Sequence, residues 1–424
     1  MKNSVLKSQG LFAKKFLLDD QYANLKERYI AWSSFEESSL LNKKDNFWDF
    51  ITCDTVYAKY GIQKLKPCPK YSGKNLVKIS KYKSPNHHNI VFVDGMLGYY
   101  DDCLNFSVRD GSLTTEPFEH PSIQSSIDLL NSAIFKAGVH IHIPEGVVLD
   151  KPILITYICT SNLGNCVTRY RNYIKLDPGA SCALNEKYIS LHDKHTAINI
   201  STSVLLMEDA KMVFDVIHES NANDKKILLT NHINLNLYRR SCFETFYLSN
   251  QFSLNMFCFN VLLTEQEACF FSSGAYAVSS LECCSYFFYI CHIADNTRSH
   301  VLHNGVATDF AQSHFSVRTV VKKGIKTVNS KQSNHNIQLS NNAQIKSKPE
   351  FEIYSDDIVC SHGSTIGFLD KHLLFYLQSR AISEKDSKNI LIAGFLKKIV
   401  FLSNRSRDVQ MSYLDIMNKR INSF

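Results

Sequence analysis

The stretch I-K-L-D-P-G-A-S-C-A-L (174–184) decides the fold. Two apolar alternations flank a short polar turn, and the turn ends on a small residue, Ala180. The same unit returns as V-L-L-M-E-D-A-K-M-V-F (204–214), L-N-L-Y-R-R-S-C-F (235–243) and L-L-T-E-Q-E-A-C-F-F (262–271). It recurs again as V-V-K-K-G-I-K-T-V (320–328) and I-Q-L-S-N-N-A-Q-I (337–345). Measured at Ala180, Ala210, Ser241, Ala268, Gly324 and Ala343, the intervals are 30, 31, 27, 56 and 19 residues, and 56 is close to two units. Period-two alternation marks strands. A strand–turn–strand unit recurring near 28 residues predicts the stacked coils of a β-solenoid over most of 139–365. The small residue suits a stacked corner with little room for a side chain. Hairpins in a two-sheet sandwich are the competing arrangement of the same strands.

Outward from the coils the pattern changes. On the N-terminal side, Ser122–Ala137 reads as a helix and Ile90-Val91-Phe92-Val93 as a strand. Before them Lys64, Lys66, Lys70, Lys74, Lys78, Lys81 and Lys83 occur with no intervening acid, among Pro67, Pro69 and Pro85. Few aromatics and no nucleic-acid motif accompany this run, so it reads as a solvated linker rather than a nucleic-acid surface. The first 60 or so residues read as helical, with Leu18, Tyr22, Leu25, Trp32, Phe35, Leu40 and Leu41 at helical spacing and N-F-W-D-F at 46–50. After Gly367 three helices are expected. Asp370 caps the first, Ser383 with Asp386 caps the second, and the third spans roughly 407–422. The expected organisation is a helical and linker region over 1–85, a β-helix over 86–367 and a helical domain over 368–424.

Composition narrows the function. The chain has 424 residues, 44% hydrophobic and 21% charged, with net charge +7, which is ordinary for a globular protein. Thirteen cysteines follow no disulfide spacing. Lysines break every apolar run at the N-terminus, so reduced thiols and a cytoplasmic location are expected. No run approaches the roughly 18 apolar residues of a membrane span. No phosphate-binding G-x-x-x-x-G-K-[ST], no dinucleotide-binding G-x-G-x-x-G and no G-x-S-x-G occur. Acid pairs occur at Asp101-Asp102 and Asp356-Asp357, and the adjacent acids of the second suit a turn better than a catalytic dyad. Cys283, Cys284, Cys291, His292, His300 and His303 crowd into 21 residues, but without chelate spacing and in a strand-like context the cysteines read as core.

The chemistry-bearing segment is P-E-F-E-I-Y-S-D-D-I-V-C-S-H-G-S-T-I-G (349–367). Cys360 and His362 are two apart, so on a strand they share a face. Phe351, Ile353 and Val359 have the opposite parity and are expected in the core, with Cys360 and His362 looking outward. Thiolate and imidazole both ligate iron and iron–sulfur clusters. Two ligands do not close a tetrahedral site, so others must come from elsewhere.

This block, with L-F-Y-L-Q-S-R-A-I behind it, resembles the C-terminal signature of the SufD family. The shared residues are Cys360, Ser361, His362, Gly363, Thr365, Gly367, Phe375, Tyr376, Leu377, Ser379, Arg380 and Ile382. Ala381 stands where the family has Gly, and Phe315-Ser316-Val317 departs from its F-x-G. The resemblance is dense over 338–393 and looser back to about 138. It implies a right-handed parallel β-helix and a non-enzymatic scaffold for iron–sulfur cluster assembly. It further implies pairing with a SufB-like paralogue through the β-helix. A SufC-like ATPase is expected on the C-terminal helices, at Phe375, Tyr376, Leu377 and Arg380. By the same resemblance His362, with Cys360 as a nearby thiol, contributes to a transient cluster shared with the paralogue, and no intrinsic cofactor, nucleic acid or membrane is expected. The alternative is a cytosolic β-solenoid enzyme acting on carbohydrate.

Overall fold

The computed structural model describes residues 25–37, 66–67, 78–102, 107–110, 126–160, 166–191, 196–217, 227–249 and 252–424. Leu18, Tyr22, Leu40, Leu41, the 46–50 segment, Ser122 and, of the lysine run, Lys64, Lys70 and Lys74 lie outside them. The first strands are β1 (Lys66–Pro67), β2 (His88–Val93), β3 (Met96–Tyr100), β4 (Ser107–Asp110), β5 (Val139–Ile143), β6 (Ile153–Cys159) and β7 (Cys166–Leu176). Next come β8 (Ser181–Ser190), β9 (Thr196–Leu206), β10 (Lys211–Ile217), β11 (Ile227–Leu237), β12 (Cys242–Ser249), β13 (Leu254–Leu263) and β14 (Cys269–Val278). The last are β15 (Cys283–His292), β16 (Arg298–Ala307), β17 (Gln312–Val321), β18 (Val328–Gln338), β19 (Gln344–Ile353) and β20 (Ile358–Gly367). Helices are α1 (Leu25–Glu37), α2 (Ser126–Ile134), α3 (Lys371–Ser379), α4 (Glu384–Leu402) and α5 (Arg407–Ile421).

From β5 onward, odd strands stack into one parallel sheet and even strands into a second, so each coil contributes one strand to each sheet. This is a parallel β-helix, and the sandwich of hairpins is ruled out. Inward residues form one continuous core. In its middle coils rings stack from coil to coil, as in Phe214–Phe243–Phe270 at 6.1 Å per step and Phe259–Phe288 at 5.0 Å. Toward the C-terminal end the interior becomes polar, with buried Ser299, His303, Ser330, Gln332, Asn334 and Asn336. Gly274 makes room for the His303 ring, because a Cβ there would lie 2.7 Å from Nδ1. Toward the N-terminal end one carboxyl is enclosed. Glu186 accepts from Tyr157 Oη at 3.3 Å, Asn231 Nδ2 at 2.8 Å and Tyr188 Oη, and burial raises its pKa to about 7.

The corners explain the repeat and correct part of it. Ala180, Ala210, Ser241 and Ala268 are fully buried, and each follows a residue of positive φ: Gly179, Asp209, Arg240 and Glu267. The amide of each such residue donates to the next coil, as Arg240 N does to Gln266 O at 3.0 Å. The column continues through Asn296-Thr297, which fills the 56-residue interval, to Thr327-Val328. Gly324 therefore sits in the turn three residues before the corner. Ala343 belongs with Ala311 in the opposite corner column, so the interval of 19 is a step between columns.

The helices lie on the flanks. The α1 face of Ala31, Trp32 and Phe35 packs on α2, whose Asn131 and Asp128 bind the outside of the odd-strand sheet. On the even-strand sheet, α4 and α5 bury Ile392, Leu396, Ile399, Tyr413 and Met417 against Phe246, Leu248, Ala275, Ala277 and Val306. Arg405 clasps Asp215 with two bonds of 2.7 Å and reaches Glu244 at 3.0 Å, while Arg420 pairs with Glu282. Helices α4 and α5 thus pack on the flank of the solenoid, because the apolar stripe they need is the outer face of β12, β14 and β16.

Candidate functional site at the open end of the solenoid

The site is built by the last coil. In β18 the even residues Ser330, Gln332, Asn334 and Asn336 point inward and are buried. Parallel in-register pairing transmits that parity to β20, setting Ser330 beside Cys360 and Gln332 beside His362. Cys360 and His362 therefore lie on the inward-facing column, and Val359 points outward at 63% exposure. This reverses the parity expected from the sequence. Phe351 and Ile353 do align with inward residues, Thr319 and Val321 of β17, but neither is buried, and Ile353 is exposed. The four-residue corner 354–357 shifts the phase before β20, so parity read on one side does not carry across.

His362 is nevertheless exposed, because no further coil among the described residues covers it. Its ring lies 5.5 Å from that of Phe351. Beneath it, Gln332 Nε2 donates to Thr319 Oγ1 at 2.8 Å and to Glu350 O at 3.2 Å, and Gln332 Oε1 is buried without a partner among the described residues. Cys360 is half-buried. Burial raises its pKa, and a hydrogen bond with the Ser330 backbone acts in the opposite sense. Under Cys360 runs a chain of hydrogen bonds: Ser330 Oγ to Ser299 Oγ at 2.8 Å, Ser299 Oγ to His292 Nε2 at 2.9 Å, and His292 Nδ1 to Thr297 Oγ1 at 2.7 Å. Gly363 and Gly367 have nothing within 4 Å of where a Cβ would be, so no described residue requires them to be small.

Asp356 and Asp357 lie in the exposed corner, where Asp357 O accepts from Thr327 N at 2.7 Å. Asp101 is held by Asn89, Tyr99 and Lys83. Cys283, Cys284 and Cys291 are buried in β15 and His303 is buried in β16, whereas His300 is exposed on the outer face. Among the described residues no group of three or more His, Cys, Asp or Glu is placed to hold a metal ion.

Helix α3 follows β20 directly. Asp370 Oδ1 caps it by accepting from His372 N at 2.7 Å and Leu373 N at 3.3 Å. None of its residues is buried: Phe375 is 71% exposed, Leu373 and Tyr376 are exposed, and Leu377 is half-covered. The Arg380 guanidinium lies 5.3 Å from the Tyr376 ring centre. The sequence reading missed the Arg405 and Arg420 clasps and Gln332. An outward Asp215 in the apolar run V-F-D-V-I was the available signal for the first.

The family model described as "SUF system FeS cluster assembly, SufBD core domain" matches residues 158–395. The iron-sulfur cluster assembly protein SufD of Escherichia coli is 27% identical over 324 residues, covering 73% of this chain and 74% of that protein. SufD of Bacillus subtilis is 22% identical over 287 residues, or 65% of this chain and 63% of that protein. A SufBD family protein of Synechocystis is 37% identical over 99 residues, 23% of this chain and 22% of that protein. The matched span runs from the end of β6 through the coils, the open end and α3 into α4, and the chain belongs to the SufBD family of SUF iron–sulfur cluster assembly proteins.

Proposed function

We propose that this chain is a non-catalytic scaffold subunit that meets a SufB-like paralogue at its open C-terminal end and a SufC-like ATPase at α3. The observation that carries this reading is the last coil. There an exposed imidazole, a thiol, unpaired strand edges and the apolar side chains Tyr354, Val359 and Ile366 meet where the solenoid stops. Exposed edges of this length invite pairing with another strand. A SufB-like solenoid seated there would cover the apolar groups and bring the further ligands that two residues cannot supply.

His362 would donate one ring nitrogen to iron of the nascent cluster. The other nitrogen needs an acceptor to fix the ring, and Gln332 Oε1 at the same register position is available for that. Cys360 stays protonated more readily than a free thiol and has the lesser role. Exposed Phe375 and Tyr376 on a helix with no buried residue fit a docking surface. Among the described residues no helix is long and apolar enough to cross a membrane, in keeping with a proposed cytoplasmic location.

The test is co-purification with SufB-like and SufC-like partners, followed by anaerobic reconstitution with iron and sulfide. Phe375→Asp with Tyr376→Asp should abolish ATPase capture and preserve pairing with the paralogue. Removing residues 370–424 is unsuitable, because it would uncover Phe246, Leu248 and Val306. Retained capture by the double variant would reject the assignment of α3.

A further inference from the structure

We infer that Cys242 and Cys269 form a second thiolate site, on the outer flank of the solenoid, that binds a soft monovalent cation such as Cu(I) between two sulfurs. The two residues are direct register partners on the adjacent parallel strands β12 and β14. Their neighbours Phe243 and Phe270 are fully buried inside the solenoid, so both thiols project outward, and both are half-buried rather than enclosed. Most other cysteines whose burial is described, including Cys159, Cys182, Cys258, Cys283 and Cys291, are buried.

Spacing favours a bridging ion over a disulfide. Registered residues on neighbouring strands ride about 4.7–4.9 Å apart, wider than the roughly 3.8 Å between the Cβ atoms of a disulfide. Two metal–sulfur bonds of about 2.3 Å, the length found at zinc, span roughly 4.6 Å end to end. Soft thiolates select Cu(I), zinc and iron–sulfur clusters over harder ions. Two protein ligands suffice for a linear ion, whereas they leave zinc half-coordinated.

Charge is arranged along the same column. Lys211 is the register partner of Cys242 on one side, and Arg298 is the register partner of Cys269 on the other. Binding follows 2 RSH + Cu⁺ → [Cu(SR)₂]⁻ + 2 H⁺, with no change of oxidation state. The single negative charge formed lies between the two cations. Glu267 and Glu244 oppose it, but Glu244 is already paired with Arg405 at 3.0 Å. In the free dithiol, burial together with Cys269 and Glu244 pushes Cys242 up to about 12, and burial raises Cys269, whose thiol donates to Glu267 O at 3.4 Å. The pair is thus protonated and slow to oxidise at neutral pH, and the ion must displace both protons.

The experiment is anaerobic titration of the full-length chain with Cu(I) buffered by a chromophoric Cu(I) chelator. The wild type should withdraw one equivalent that Cys242→Ser and Cys269→Ser each weaken at least about a hundredfold, the double variant weakening it no further. Affinity should rise about a hundredfold per pH unit, the signature of two released protons. Cys360→Ser should leave this equivalent unchanged. Wild-type affinity in either single variant, a tenfold pH slope, or loss on Cys360→Ser alone would each overturn the assignment. If Cys242→Ser fails to fold, Cys269→Ala decides the matter by the same readout.

Discussion

At its N-terminal end the solenoid is finished by antiparallel strands, β3 against β2 and β4 against β5, whereas at its C-terminal end β19 and β20 have no strand beyond them among the described residues. The burial follows. Every residue of β2 after His88 is buried, and β20 has none. The interiors differ as well, with an enclosed carboxyl in the early coils and histidines, serines and amides in the late ones. Among the described residues, nothing of the chain itself completes this end, with its uncovered edges, apolar side chains and ligand-bearing groups. The contrast teaches that the early coils are closed by strands of the chain itself, whereas the last coil leaves its edges and apolar side chains uncovered.

The largest expected effect tests that contrast directly. Tyr354→Asp with Val359→Asp places two charges where the open end would be covered, and should weaken association with a SufB-like partner about a thousandfold. Met96→Asp with Tyr100→Asp at the closed end should leave that affinity unchanged. Equal losses at both ends, measured by calorimetry or interferometry, would break the comparison.

The interiors predict opposite responses to pH. Glu186 is raised from 4.5 to about 7, so its contribution is complete below pH 4.5 and is lost as pH rises through 7. Burial lowers His292 and His303 to about 3, so their contributions are complete above pH 6.5 and are lost on acidification toward 3. Relative to Glu186→Gln, the wild type should lose on the order of 3 kcal/mol between pH 4.5 and 8. Denaturant midpoints at several pH values measure this. A pH-independent difference would show that Glu186 ionises as an ordinary carboxyl.

At the site itself, His362→Ala should slow cluster formation ten- to hundredfold with the thermal midpoint unmoved, since the ring is exposed. Cys360→Ala should do less. Unfolding, or assembly at the wild-type rate, would remove His362 from the site. The smallest effect concerns the turn after α3. Ala381 holds φ at 63°, a conformation that favours glycine, so Ala381→Gly should stabilise the chain by about 1 kcal/mol. No gain in chemical denaturation would mean that the turn relaxes without strain.

Much of this was legible beforehand. Period-two alternation and recurring small corners predicted coils, since every coil must pass the same crowded turn. Asp370 and Ser383 announced the starts of α3 and α4 because a cap acts within one turn of helix. The pair at 360 and 362 stood out by residue type and by resemblance. Its orientation did not, because strand parity is lost across a corner and is restored only by pairing with β18. Nor could spacing show that Cys242 meets Cys269, or that Arg405 reaches Asp215 across 190 residues. By itself the sequence determined local periodicity, caps and the repeating coil, all of which depend on residues a few positions apart. Which side chains face one another, which end stays open and which helix stays uncovered were decided by stacking between coils, where the interactions are long-range and no local pattern records them.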